Sequence, residues 1–127
     1  MKEKNIKIIF WISTGLIFLF EGVLTALTGH SEMAVKGITD LGYPVYFVTL
    51  LVIFKVLGSI GLVVNALPLR VKEWIYAGFM FDFIFAFLSL WIVFGFTTML
   101  ILPVAAMIVL AVSYRYYRKM RNHDLVK

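Results

Sequence analysis

Three ionisable side chains stand where such groups are costly. Glu21, Lys55 and Asp82 each interrupt a long apolar run, and at the centre of a membrane-spanning helix each costs about 2.5–3.5 kcal/mol. Two acids and one base in such surroundings can form an ion pair, bind a proton or hold a small polar ligand. Little else in the chain points to chemistry. There is no cysteine, no glycine-rich phosphate loop and no serine in a nucleophile elbow. His30 and His123 fall in a connection and in the tail, without metal-ligand spacing and without a way to hold a haem. His30 with Glu32 reads as a solvated surface pair. The methionines Met33, Met80, Met99 and Met107 are too scattered for a copper site. The phenylalanines from Phe79 to Phe87 read as packing or lipid-facing groups rather than a quinone slot. No cofactor and no metal are expected, and no catalytic residues are assigned.

The elements that carry the three charges are apolar helices. Of the 127 residues, 62% are hydrophobic and only 15% are charged, with a mean hydropathy of +0.97. A water-soluble domain carries about 25% charged residues, so lipid is the expected main solvent. Four apolar runs cover residues 6–27, 44–67, 74–94 and 98–117. About 20 helical residues span a hydrocarbon core of about 30 Å, and the alternating polarity of membrane β-strands is absent. The expectation is an all-α, integral membrane four-helix bundle, a single transmembrane domain over residues 1–127. Between the first two spans a short surface helix is expected. Ser31 would cap it, Ala34, Ile38 and Leu41 would share one face, and Gly42 would end it. Pro44 suits the first turn of the second span. The remaining links, around Pro68 to Arg70 and Gly95 to Thr97, are short, so consecutive spans run antiparallel.

Basic residues set an orientation. Lys2, Lys4, Lys7, Arg70, Lys72, Arg115, Arg118, Lys119, Arg121 and Lys127 all fall on one side of such a bundle, and the opposite side has only Lys36. The positive-inside rule makes the basic side cytoplasmic, with both termini there and the chain in the cytoplasmic (inner) membrane. Trp11, Trp74, Tyr114, Tyr116 and Tyr117 would mark that interface, and Tyr43, Tyr46 and Trp91 the other. The net charge of +5 thus reads as a topology signal and as contact with membrane lipid, not nucleic acid. The first run is longer than the apolar part of a signal peptide and is interrupted by Glu21, so it is expected to remain as a span.

Depth can be counted at about 1.5 Å per residue. From the basic side, Glu21 lies at roughly 21 Å, Lys55 at roughly 20 Å and Asp82 at roughly 13 Å. A Glu21–Lys55 ion pair is the simplest arrangement, with Asp82 within reach of the long lysine stem. Helical spacing extends the charges into stripes: Thr14, Glu21 and Thr25; Lys55, Gly58, Ser59, Leu62 and Asn65; Gly78, Asp82 and Ser89. Glu21, Lys55, Asp82, Asn65, Ser59 and Ser89 therefore form a candidate intramembrane polar cluster. Its members either serve as interhelical glue or form a site for a proton or small polar ligand.

In order and spacing, several segments resemble the DoxX-like family of small four-span bacterial membrane proteins. They include Lys7-Ile8-Ile9-Phe10-Trp11, Asp40-Leu41-Gly42-Tyr43-Pro44, Lys55-Val56-Leu57-Gly58, Lys72-Glu73-Trp74-Ile75-Tyr76 and Val112-Ser113-Tyr114-Arg115-Tyr116. The resemblance covers nearly the whole chain. It implies a helical bundle of the cytoplasmic membrane and, through some relatives, a link to quinone-dependent sulfur oxidation or to membrane-bound redox and detoxification assemblies. Relatives commonly carry a serine–histidine pair late in the third span, where this chain has Ser89-Leu90; no role needing that histidine is carried over.

The expected function is that of a cofactor-free membrane subunit or accessory protein in a redox or stress-response assembly. The alternatives are a small proton-coupled transporter using the Glu/Lys/Asp cluster, and an intramembrane enzyme acting on a lipid-like or quinone substrate. A membrane or redox protein partner, or a homo-oligomer, would fit a bundle with so few spans.

Overall fold

A computed structural model describes residues 2–122; His123 and Lys127 lie outside them. Five helices make up the fold: α1 (Glu3–Thr28), α2 (Glu32–Thr39), α3 (Val45–Val63), α4 (Leu69–Phe94) and α5 (Thr98–Asn122). All but α2 are long and apolar enough to cross a membrane. The α1 helix is not uniform, since Phe18–Val23 forms a π-helical turn. The α5 helix opens with a 3₁₀ turn over Thr98–Leu100.

Two of the differences from the expected spans flank one proline. Pro68 disfavours a helical conformation at Leu67, and Val64 is already extended (φ −90°, ψ 97°). The second helix therefore ends at Val63 rather than Leu67. Pro68 instead sits at the N-cap of α4, so this helix starts at Leu69 rather than Trp74. At the other end of the chain α5 continues past Tyr117, with Lys119 and Arg121 in its last turn, where cations suit the helix dipole. Pro44 takes the N-cap position of α3, just ahead of its first turn.

The connections follow local chemistry. The Ser31 hydroxyl accepts a bond from the Ala34 N–H at 3.2 Å and starts α2. Gly42, at φ 97°, turns the chain toward α3, and Gly95, at φ 76°, closes α4. Around the bundle the packing order is α1, α3, α4, α5, so that α1 lies diagonal to α4 and α3 touches both. This order places Lys55, on α3, between the two helices that carry the acids.

Packing is tightest at the basic end. Ile6, Phe10, Tyr76, Leu110, Tyr117 and Met120 are buried together, so Tyr117 is a core residue rather than an interfacial one. Lys72, counted above as a topology signal, is also fully buried. Its Nζ donates to the carbonyls of Gly61 (3.0 Å) and Leu62 and lies 5.0 Å from the centre of the Tyr117 ring. A cation thus caps the C-terminus of α3. The opposite faces of the long helices are apolar and exposed, as at Ile12, Leu57, Phe81, Phe85, Ile92 and Leu102. That suits a lipid surround, and the protein is a multi-pass membrane bundle.

Lys72→Met keeps the stem and removes the donor to two buried carbonyls. It should lower stability by about 1–3 kcal/mol, read as a lower unfolding midpoint in detergent. An unchanged midpoint would count against the cap.

Candidate functional site

The three intramembrane charges meet inside the bundle. Lys55 Nζ lies 2.9 Å from Glu21 Oε2 and 3.9 Å from Asp82 Oδ2, and all three side chains are largely buried. One ammonium is thus shared by carboxyls from the helices on either side of α3. The Glu21 contact is the closer of the two, and Glu21 Oε2 itself is buried. With all three groups ionised the cluster keeps one negative charge in excess. No further ionisable group faces it from α5, whose first charged residue is Arg115.

Backbone features bring the charges together. Glu21 stands on the π-helical turn, where the Leu24 N–H bonds to the Leu19 carbonyl and the Thr25 hydroxyl donates to Phe20 O at 3.2 Å. A π turn inserts an extra residue and shifts the side chains beyond it, and such turns recur at functional sites. Beside Glu21, Gly22 lies against Ser59: a Cβ at Gly22 would fall 2.2 Å from Ser59 Oγ and 3.0 Å from its Cβ. Only a missing side chain permits so close an approach of α1 to α3. The α3–α4 contact is built reciprocally. The ring of Phe79 on α4 packs on Gly58, and that of Phe54 on α3 packs on Gly78, with the ring centres 5.6 Å apart.

The other candidate residues divide. Ser59 is buried beside Gly22, its hydroxyl donating to Val56 O at 2.9 Å; it serves helix contact. Ser89 meets Tyr43 Oη at 2.7 Å near the far end and does not join the charges. Asn65 is not on the α3 stripe at all, because the helix has ended; it sits in the α3–α4 turn with a buried Oδ1 that lacks a partner. His30 pairs with the Thr49 hydroxyl at 3.1 Å rather than with Glu32. A second polar group was not foreseen from the stripes. Ser113 Oγ lies 2.6 Å from Thr14 Oγ1 and 2.7 Å from Tyr76 Oη, joining α1, α4 and α5 through buried hydroxyls. Its only sequence signal is a serine among the aromatic residues of α5.

Two cavities reach the ion pair from opposite sides. One of about 330 Å³ lies between α1, α4 and α5, with Glu21 as its only ionisable wall residue and Ile17, Phe20, Phe83, Leu102 and Ala106 among the rest. The other, of about 260 Å³, lies under α2 and is lined by Phe20, Thr25, Thr28, Gly37, Val52 and Lys55. Phe20 borders both, while Glu21 faces only the first and Lys55 only the second. The Glu21–Lys55 contact therefore stands as a partition between them.

Among known proteins, the model of the DoxX-like family matches residues 9–113, a stretch that holds all three charges. No curated protein and no solved structure matches the chain.

Removing the shared base leaves two buried acids facing each other. Lys55→Met should destabilise by about 3–5 kcal/mol, whereas Glu21→Gln, which leaves Lys55 with Asp82, should cost distinctly less. Unfolding midpoints in detergent check the order, and equal losses would contradict a shared lysine.

Proposed function

Because the chain belongs to the DoxX-like family, we propose a function built on its own charged cluster: it is a membrane-embedded binding subunit that takes up and releases a proton at Glu21, Lys55 and Asp82. The carrying observation is the shared ammonium, flanked by two carboxyls at 2.9 and 3.9 Å. The excess negative charge in an apolar interior is relieved by one bound proton. The cavity under α2 supports exchange from that end, since it runs from Thr28 and Gly37 down to Lys55.

A subunit of this kind suits a redox or stress-response assembly, in which proton uptake accompanies electron transfer at a partner. The family resemblance supports that placement, with the basic end and both termini in the cytoplasm. The partition between two cavities favours a second reading, an autonomous proton-coupled transporter in which Lys55 moves between its two acids.

Infrared difference spectroscopy on the protein in liposomes tests the binding reading. A protonated-carboxyl band that appears and disappears with pH is expected, with its loss or shift in Glu21→Gln or Asp82→Asn. A band absent at every pH, or unaffected by both substitutions, would sink the proposal. Purification in mild detergent at native expression levels separates the two settings: a co-purifying redox protein favours the assembly, and proton-coupled uptake by the isolated protein favours the transporter.

A further inference from the structure

The cavity between α1, α4 and α5 has a composition that the proton-binding role does not require. A proton needs only the cluster, yet beside Glu21 lies about 330 Å³ of space walled by apolar and aromatic side chains. Its inner end is formed by the buried Ile17 and Phe83, and its mouth by the exposed Leu16, Phe20 and Leu102. Those mouth residues lie on the apolar outer face of the bundle, so the cavity opens toward lipid rather than toward either aqueous side. A ligand that partitions into the bilayer can enter from there.

We propose that this cavity binds a lipophilic monocation, a protonated amine on an apolar body, with its charged group at Glu21 and its body between Phe20 and Phe83. The inference rests on the reading of the cluster as a binding site and names the ligand class of its lipid-facing side.

Three features select that chemistry. The cluster carries one negative charge in excess, so a single positive charge neutralises it and an anionic head is repelled. Glu21 is the acidic side chain that lines this cavity, and an ammonium N–H forms a strong charge-assisted bond with a carboxylate. Phe20 and Phe83 line the same cavity, and a cation near an aromatic ring is also favoured. A purely hydrocarbon occupant, such as a lipid tail, would fill the apolar part and leave the cluster's excess negative charge in place. Entry of the cation also competes with Lys55 for Glu21, which leaves Lys55 its second partner, Asp82. Ligand binding and proton binding are then exclusive at one carboxyl, the relation that an exchanger uses.

A charge series on one apolar body tests this in the intact protein in nanodiscs. The probes are 4-phenylbutylammonium, 4-phenylbutanol and 4-phenylbutyrate, measured by equilibrium dialysis against empty nanodiscs. Saturable binding of the ammonium probe, at least about tenfold tighter than the alcohol, with no saturable binding of the carboxylate, is the expected result. Glu21→Gln should remove that preference, and Ala106→Leu, which fills the cavity, should remove binding while leaving the titrating carboxyl band in place. Equal affinity for alcohol and ammonium, or ammonium binding no greater than to empty nanodiscs, overturns the proposal. If the carboxyl band still titrates in that case, the proton-binding reading stands and only the ligand assignment falls. The probe series needs no substitution, so a variant that fails to fold does not remove the test.

Discussion

A lysine held between two carboxyls in a largely apolar interior constrains everything around it. In an apolar medium an isolated charge is expensive, and its partners must be close and on neighbouring helices. That demand is met only because α3 lies between α1 and α4, which puts Lys55 within reach of Glu21 and Asp82 at once. The glycines at 22, 58 and 78 follow from the same requirement. Each lets a side chain of the neighbouring helix approach at a distance that a Cβ would obstruct. The charges specify which helices are neighbours, and the glycines allow those neighbours to come close enough.

The two ends of the bundle do different work. Toward the basic end lie the buried Lys72 cap, the Thr14–Ser113–Tyr76 hydroxyl group and the aromatic packing around Tyr117. These features tie α1, α3, α4 and α5 together through buried polar contacts and aromatic packing. Deeper in, a cavity lies on either side of the ion pair, and α1 takes a π turn at the residue that carries the acid. A tied base with cavities that reach the charged middle suits a binding bundle, since a site needs both fixed geometry and volume.

Much of the framework was legible before any coordinates. Four apolar runs of membrane-spanning length and the Ser31 cap needed only hydropathy and local chemistry, and equal depth along α1 and α3 suggested that Glu21 and Lys55 could meet. What escaped the sequence was whatever depends on rotation and fine backbone geometry. Asn65 falls on the helical stripe only if α3 continues past Val63, and the extended Val64 ends the helix first. Ser89 shares a face with Asp82 on α4, yet the outer connection brings Tyr43 to it instead. Lys72 counts among the basic residues that set the orientation, and residue type alone does not reveal that the last carbonyls of α3 lie within its reach. The π turn has no residue signature, and cavities arise from side chains of several helices at once.

The central claim is that one lysine serves two acids inside the membrane, and it can be measured without altering the chain. Solid-state NMR on the protein in lipid bilayers, with ¹⁵N-labelled lysine and ¹³C-labelled carboxyls, reports the dipolar couplings of Lys55 Nζ. A strong coupling to the Glu21 carboxyl carbon and a weaker one to that of Asp82 is the predicted result. Coupling to neither, or a Lys55 ammonium in contact only with lipid headgroups or water, would contradict the account.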